Sequence, residues 1–163
     1  MNTIDISKIE DLSHLRKSLV KIAIILNTNN INWGLGGSLL LFLHGINTTV
    51  ADIDIVIDEK DIDKVEAFIS NYYHIEKKKS GMYLTDRFYS INLDDVNIDL
   101  MIGFKIKTDK GIYSYSKGSE IAYETVLLDR TKINICSLDD WTAAYKAMKR
   151  MTKVELINQF KNL

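Results

Sequence analysis

Three aspartates lie on two segments in which apolar and polar side chains alternate. Asp52 and Asp54 belong to DIDIVID at 52–58, and Asp99 belongs to VNIDLMI at 96–102. Because side chains alternate across a β-strand, Asp52 and Asp54 are expected on one face, roughly 7 Å apart along the chain. If the two segments are neighbouring strands with aligned apolar faces, all three carboxylates meet at one place.

Three clustered carboxylates repel one another unless a cation lies among them or one of them takes up a proton. Mg²⁺ prefers hard oxygen ligands and retains waters, which leaves positions for substrate phosphates. Two such ions can also clamp the attacking and leaving oxygens of a phosphoryl transfer. We therefore expect one or two Mg²⁺ ions at Asp52, Asp54 and Asp99. The alternative is that Asp52 and Asp54 are the solvent-facing side of an edge strand.

A glycine pair precedes the aspartates. Gly36 and Gly37 lie between INWGL at 31–35, which predicts a short strand, and SLLLFLHG at 38–45, which predicts a short buried helix. Free backbone N–H groups and the helix dipole favour an anion at such a junction, and Ser38 adds a hydroxyl donor. The pair predicts a phosphate site beside the metal site, although a glycine pair taken alone is usually a structural turn.

The elements that position these residues follow from hydrophobic periodicity. Apolar residues at every third or fourth position predict helices at 7–28, 61–73, 138–150 and 152–160, with Ser7, Ser137 and Thr152 as N-caps. The middle of the chain predicts strands that turn at Ser80-Gly81 and Asp94-Asp95, and 122–129 with 131–137 predict a hairpin.

We expect a mixed α/β (α+β) protein with a largely antiparallel central sheet flanked by helices. Its length of 163 residues favours a single domain, 1–163, with a core at about 30–103 and a C-terminal extension at about 104–163.

Composition favours a cytoplasmic protein without membrane contact. The formal net charge is -1, no apolar run reaches 18 residues, and the single cysteine, Cys136, cannot form an internal disulfide. We expect Cys136 to be a buried thiol. The lysines KKK at 77–79 predict a solvated turn, and the alternative is contact with a nucleic-acid backbone.

The order of these motifs resembles the nucleotidyltransferase superfamily related to DNA polymerase β. The resemblance covers roughly 30–103 and rests on LGGSL, a spacing of 13 residues between Ser38 and Asp52, DIDIVI and NIDLMI. Near the end, INICSLDDWTAAYKAMKR at 133–150 is similar to the closing segment of small members that include antibiotic nucleotidyltransferases and AbiEii-type toxins.

The resemblance implies a reaction and roles for the carboxylates. A nucleoside monophosphate would pass from a nucleoside triphosphate to a hydroxyl acceptor, with pyrophosphate leaving. Asp52 and Asp54 would bind Mg²⁺, and Asp99 would complete the metal site or take the proton of the acceptor.

It also implies nucleotide-binding residues. Gly36, Gly37 and Ser38 would hold the triphosphate. Lys146 and Arg150, which are four residues apart and so share a face of the predicted helix, would offset phosphate charge. The alternative for this pair is a solvated helix surface.

The sequence departs from the resemblance at two places. Many relatives carry Arg or Lys and a Thr just before the first aspartate, whereas this chain has TTVA at 48–51, so a phosphate contact expected there is missing. The usual Arg-x-Lys-Asp after the last helix is matched only loosely by RMTKVE at 150–155.

Several interpretations of the function stay open. The acceptor could be an antibiotic-like small molecule, a tRNA end or a protein, and its site could be built by the C-terminal segment or by a second subunit of a homodimer. A nucleotide-binding or protein-interaction module that keeps the fold without turnover is the main alternative. An unrelated α/β domain with a solvent-facing acidic strand is the third.

Overall fold

The computed structural model describes residues 4–118 and 120–163. Nine strands run through this part of the chain: β1 (Trp33–Gly36), β2 (Ile53–Ile57), β3 (His74–Lys77), β4 (Arg87–Leu93), β5 (Val96–Ile102), β6 (Lys105–Thr108), β7 (Gly111–Ser114), β8 (Tyr123–Leu128) and β9 (Thr131–Cys136). Seven of them form one sheet in the order β3-β4-β5-β2-β1-β9-β8, and β6 and β7 form a separate hairpin.

Helices connect and cover these strands. The α-helices of the described residues are α1 (Ser13–Thr28), α2 (Gly37–Leu43), α3 (Ile62–Ile69), α4 (Leu138–Ala147) and α5 (Met151–Lys161). Three short 3-10 segments lie at Ile6–Leu12, Glu59–Asp61 and Tyr115–Gly118. None of the helices in the described ranges has both the length and the apolar composition needed to cross a bilayer.

The sheet is mixed and largely antiparallel. The pairs β1–β2, β3–β4, β4–β5 and β8–β9 are antiparallel, whereas β2–β5 and β1–β9 are parallel. Asp94 and Asp95, with φ of 53° and 65°, make the tight connection between β4 and β5, which is the left-handed geometry that a two-residue hairpin turn needs. The predicted fold class is therefore confirmed.

Two central strands bury their apolar faces together. The register of β2 and β5 places Ile55 beside Leu100 and Ile57 beside Ile102, and all four side chains are buried. Burial of side chains of this size contributes about 1.5–3 kcal/mol each. This contact fixes the register of the two strands, because a slip by one residue would turn the carboxylates into the core.

The first helix differs from its prediction at the N-terminal end. The chain enters through the 3-10 segment Ile6–Leu12, which Asp5 caps by accepting a hydrogen bond from the N–H of Ser7, so Ser7 is not the N-cap. From Ser13 onward α1 has the predicted apolar stripe, buried against the sheet. The third helix is also shorter than predicted and ends at Ile69.

The end of α4 differs from its prediction in a way that affects the site. Ser137 caps α4 as predicted, accepting from the N–H of Asp140 at 3.0 Å. The helix ends at Ala147 rather than at residue 150, because Lys149 adopts a left-handed φ of 59°. The N–H of Arg150 donates to the carbonyl of Tyr145 at 2.9 Å, which is the helix-ending Schellman arrangement. Arg150 then precedes α5, so Thr152 is not its N-cap.

Cys136 is buried and free, as predicted. Burial raises the pKa of its thiol to about 11, and contacts with Tyr115 and Trp141 offset only part of this shift. The thiol therefore stays protonated near neutral pH and has no nucleophilic character.

Candidate active site

Two of the predicted aspartates lie side by side on paired strands. The parallel register of β2 and β5 places Asp54 directly opposite Asp99, and both side chains are largely buried. Asp52 precedes β2 and is exposed. The strand pairing that the sequence predicted therefore brings Asp54 and Asp99 together, with Asp52 at the edge of the pair.

The carboxylates interact electrostatically. Burial, together with the charges of Asp99 and Asp52, raises the pKa of Asp54 to about 7, and Arg150 and Lys77 offset only part of this shift. The pKa of Asp52 is also raised, first by burial and then by Asp99. Because these negative charges disfavour one another, a bound cation would be stabilised here.

Asp99 is held in place by its neighbours on β4 and β5. Ser90 donates its hydroxyl to Oδ1 of Asp99 at 2.5 Å, and the Asn97 amide donates to the same oxygen at 2.9 Å. The Nζ of Lys77 is 3.8 Å from that oxygen and 4.7 Å from the ring centroid of Phe88. Since all three groups approach Oδ1, the second oxygen, Oδ2, keeps its lone pairs for another ligand.

The sequence did not predict Lys77 as a residue of the site. It was expected in a solvated turn, but it is the last residue of β3, which pairs with β4 at the edge of the sheet. Its position next to Asp99 depends on that pairing, and the only signal in the sequence was its place at the end of an alternating segment.

The glycine pair lies directly against Asp54. Gly36 is opposite Asp54 in the antiparallel pairing of β1 and β2. Gly37 begins α2 with a φ of 66°, and a Cβ at this position would overlap Oδ2 of Asp54. A Cβ on Gly36 would overlap the indole ring of Trp141. Both glycines are therefore required by close approach, as well as by the left-handed backbone at Gly37.

A lysine from α5 reaches the start of α2. The Nζ of Lys153 donates to Oγ of Ser38 at 3.0 Å and to Oγ1 of Thr48 at 2.8 Å. Burial and the nearby Arg150 lower the pKa of Lys153, and Asp54 opposes this shift. Lys153 thus brings a positive charge to the TTVA segment, which has none of its own.

Lys153 was not among the predicted site residues. The signal was present in RMTKVE, where this lysine follows Arg150 by three residues. The spacing differs from Arg-x-Lys-Asp by one residue.

Arg150 and Lys146 occupy different places. Arg150 lines the same pocket as Asp54, and its guanidinium carbon lies 5.5 Å from the ring centroid of Tyr145. Lys146 lines a separate groove together with Lys110 and Lys149. The prediction that Lys146 and Arg150 share a helix face is wrong, because the left-handed turn at Lys149 ends the helix between them.

The pocket between these groups has a volume of about 400 Å³, which is within the range of pockets that hold nucleotide-sized ligands. Polar groups line one part of it: Gly37, Ser38, Asp54, Lys77, Lys78, Ser80, Asp99 and Arg150. Apolar and aromatic side chains line the rest: Tyr83, Phe88, Met101, Phe104, Trp141, Tyr145 and Met148.

The aromatic side chains support one another. The ring centroids of Phe104 and Trp141 are 6.0 Å apart, and those of Trp141 and Tyr145 are 5.4 Å apart. The arrangement offers a wall for a flat apolar ring next to a charged floor for phosphates.

The carboxylates at the site can be compared with the ligands that the predicted Mg²⁺ requires. Within residues 4–118 and 120–163, no three side chains of His, Cys, Asp or Glu are arranged as a ready metal site. The predicted three-carboxylate cluster is therefore looser than expected, with Asp52 exposed. Asp54 and Asp99 fit a hard divalent cation, because Mg²⁺ commonly takes one or two carboxylates and completes its shell with water and substrate phosphates. Mg²⁺ stays a prediction.

Comparison with solved structures identifies the fold. A candidate nucleotidyltransferase from Thermotoga maritima, TM1012, matches 90% of this chain and 91% of its own, with a TM-score of 0.61 and 25% sequence identity. This chain has a nucleotidyltransferase-like fold. A second match of that fold is ANT(2″)-Ia in complex with adenylyl-2″-tobramycin, with a TM-score of 0.49, 10% identity and coverage of 89% and 87% of the two chains. No family model and no curated protein matches the sequence.

The likeness to TM1012 suggests nucleotidyl transfer as the general kind of reaction. In this nucleotidyltransferase-like fold, the pocket between β2, β5, the glycine turn and the α4–α5 connection is the candidate active site.

Proposed function

We propose that this chain transfers a nucleoside monophosphate from a nucleoside triphosphate to a hydroxyl acceptor, with Mg²⁺ bound at its carboxylates. The observation that carries the proposal is that β2, β5, α2 and the α4–α5 connection meet at one pocket. Asp54 of β2 lies opposite Asp99 of β5, and Gly37 of α2 lies against the Asp54 carboxylate. Arg150 of the α4–α5 connection lines the same pocket. This arrangement combines a site for a divalent cation with a site for phosphate.

The nucleotide would be held at the glycine turn. Free N–H groups at the start of α2 favour an anion, and the left-handed Gly37 lets a phosphate approach the backbone closely. Ser38 and Lys153 would bind the triphosphate, with Lys153 turning from the two hydroxyls that it now contacts toward phosphate oxygens. Arg150 would offset further phosphate charge, and the aromatic wall would pack against the base.

The reaction would be a single displacement at the α-phosphorus. The acceptor oxygen forms a new P–O bond, and the bond between the α-phosphorus and the bridging oxygen breaks. Pyrophosphate leaves with that electron pair, and the proton of the acceptor hydroxyl passes to a carboxylate oxygen of Asp99. The hydrogen bonds from Ser90 and Asn97 keep Oδ1 of Asp99 fixed, which leaves Oδ2 for this proton.

Asp54 and the exposed Asp52 would hold Mg²⁺, and completing the metal site is the alternative role for Asp99 if it does not take the proton. When bound, the ion supplies positive charge that neutralises the triphosphate and stabilises the charge that develops during the displacement. The raised pKa of Asp54 supports this assignment, because burial and the neighbouring carboxylates disfavour its negative charge, which a cation would neutralise as a proton does.

The test is incubation with labelled nucleoside triphosphates and Mg²⁺, together with a panel of small hydroxylated molecules, RNA and protein. We expect label in one acceptor fraction and stoichiometric pyrophosphate. Nucleotide binding by titration calorimetry, without pyrophosphate release for any acceptor, would contradict catalysis and support a binding module. Loss of both binding and release would contradict the proposed function as a whole.

A further inference from the structure

Lys77 reaches Asp99 across an intervening strand. Lys77 ends β3 and is in register with Phe88 of β4, whereas Asp99 lies on β5, beyond β4. Neighbouring strands are about 4.8 Å apart, which places roughly 9.6 Å between β3 and β5. The Nζ of Lys77 nevertheless lies 3.8 Å from Oδ1 of Asp99. The side chain therefore extends over β4 to the carboxylates of the pocket.

The ring of Phe88 supports the Lys77 side chain on this path. Asp99 is in register with Ser90, which is two residues from Phe88 on β4. Residues in register, and residues two apart on one strand, share a face of the sheet, so Lys77, Phe88 and Asp99 lie on one face. The Nζ is 4.7 Å from the ring centroid, within the roughly 6 Å reach of a cation–π interaction. The ion pair and the ring contact together hold the ammonium group at one place.

Lys77 brings positive charge to the carboxylates of the site. Within residues 4–118 and 120–163, its contact with Asp99 is the only ion pair at the three carboxylates. Burial raises the pKa of Asp52 and of Asp54, and the charge of Lys77 opposes both shifts. The carboxylates therefore have a cation of the protein's own beside them.

Asp99 has one oxygen left for a further ligand. A carboxylate oxygen has about two lone-pair sites, and the Ser90 hydroxyl and the Asn97 amide already donate to Oδ1. The proposed function assigns Oδ2 to the acceptor proton. An ion bound at Oδ2 would block that transfer, so Asp99 has no oxygen to give to a second ion.

We propose that Lys77 takes the place of a second metal ion, so that the site binds a single Mg²⁺, at Asp52 and Asp54. This inference rests on the proposed function, and it narrows the one or two ions that the sequence allows to one. In two-ion sites, one ion stabilises the attacking oxygen and the other the leaving oxygen. Because Asp99 takes the proton of the attacking hydroxyl, Lys77 supplies its charge on the attacking side.

Lys77 is a positioning residue that acts through Asp99. Its ion pair keeps the carboxylate oriented by Oδ1 and leaves Oδ2 for the acceptor. The alternative is an ordinary surface ion pair, since half of the Lys77 side chain is exposed, and such pairs contribute little to stability. A surface ion pair would have no influence on how many ions the site binds, so the number of ions separates the two interpretations.

The metal test counts Mn²⁺, used as a probe for Mg²⁺, by electron paramagnetic resonance. A nucleoside triphosphate analogue with a methylene group between its α- and β-phosphorus atoms prevents turnover. We expect one Mn²⁺ for each wild-type chain with the analogue. Lys77→Met keeps the apolar stem and removes the charge, so it should bind two, because Asp99 then takes a cation. Lys77→Arg keeps the charge and should bind one.

The matched control is Lys79→Met. Lys79 is exposed and lies outside the pocket lining, so this variant should bind one Mn²⁺, as the wild type does. Thermal melts check that each variant folds. The wild-type count decides the inference even if a variant does not fold.

Turnover gives a second measurement. If Oδ2 of Asp99 binds an ion, it cannot take the acceptor proton, so Lys77→Met should lower kcat by about 100-fold or more. The KM for the nucleoside triphosphate should change little, because Lys77 is not at the glycine turn. Lys77→Arg should restore most of kcat. Initial rates of pyrophosphate release, with the acceptor fraction that gains label, measure these values.

The two proposals fail in distinguishable ways. Two Mn²⁺ ions on the wild type, or equal counts in Lys77→Met and Lys79→Met, would overturn the role of Lys77, and continued pyrophosphate release would leave the proposed function intact. No Mn²⁺ bound with the analogue and no pyrophosphate release with any nucleotide would overturn both.

Discussion

The carboxylates and the cations of the candidate active site reach it from elements of different kinds. Asp54 and Asp99 lie on paired strands in the middle of the sheet, and the buried pairs on either side of them fix their register. Arg150 and Lys153 come from the connection between α4 and α5 and from the first turn of α5. The anionic part is therefore held by the fold, whereas the cationic part depends on one turn.

The difference has an energetic consequence. In the ligand-free protein, burial and the repulsion of the neighbouring carboxylates raise the pKa of Asp54. Lys153 of α5 instead donates to two neutral hydroxyl groups, while burial and the nearby Arg150 lower its pKa. We therefore expect bound ligands to reduce the repulsion at Asp54 and Asp99 and to change the hydrogen bonds of Lys153.

The largest expected effect is on turnover when a fixed carboxylate is removed. Asp54→Asn should lower nucleotidyl transfer by at least about 1,000-fold, because it removes a cation ligand and transition-state charge stabilisation together. Initial rates of pyrophosphate release measure this. The exposed Asp63→Asn on α3 is the matched control and should keep its rate. Equal rates in the two variants would contradict the assignment of Asp54.

The next effect concerns stability at the glycine turn. Gly37→Ala should lower the free energy of unfolding by about 3 kcal/mol, because it combines a left-handed φ with overlap on Asp54. Gly81→Ala has a φ of 59° and nothing within 4 Å, so it should lose only about 1 kcal/mol. Urea unfolding compares the two, and equal losses would show that the close approach to Asp54 has no energetic weight.

A smaller effect is expected on the pH dependence of stability when the ionisable group of Asp54 is removed in metal-free protein. Its folded-state pKa of about 7 lies above the ordinary 3.8, so the folded state holds the proton more tightly. The stability from this group is fully present below pH 3.8 and is lost as the pH rises through about 7. Asp54→Asn should therefore gain about 2 kcal/mol over the wild type between pH 5 and pH 8.

Urea unfolding in the presence of a chelator measures this gain, with Asp63→Asn as the reference. A gain that is the same at both pH values would show that the repulsion between the carboxylates is not felt in solution. Added Mg²⁺ should reduce the gain at pH 8, since the ion stabilises only the wild-type carboxylate.

The smallest effect is on nucleotide affinity, and it distinguishes the candidate active site from the groove that Lys146 lines. Lys153→Met keeps the apolar stem and removes the charge, so it should weaken nucleotide binding about 10-fold. Lys146→Met, in the separate groove that Lys110 and Lys149 also line, should leave nucleotide affinity unchanged. Titration calorimetry with a nucleoside triphosphate and Mg²⁺ compares them. The reverse result would return Lys146 to the nucleotide site and place Lys153 in a structural role.

The strands that carry the carboxylates were predictable because their physics is local. DIDIVID and VNIDLMI alternate with a period of two, and the buried faces allow one register for each strand. The positions of Asp54, Asp99 and the glycine turn followed from that pattern and from the resemblance to nucleotidyltransferases.

The cationic residues were harder to place because their positions depend on tertiary structure. The end of α4 carries no glycine or asparagine, and a lysine adopts the left-handed conformation that usually marks a helix end in the sequence. Nothing local therefore separated Lys146 from Arg150. Lys77 reaches Asp99 only because β3 pairs with β4, and Lys153 reaches Ser38 only because α5 packs back toward α2.

The strand order also decides how a molecule can enter and leave. β2 and β5 each have hydrogen-bonded neighbours on both sides, so the floor beneath Asp54 and Asp99 cannot open without breaking the sheet. The border of the cavity is less constrained, because β3 has a partner on one side only and the α4–α5 connection is a single turn. We therefore expect ligands to enter and leave at this border while the central strands stay paired.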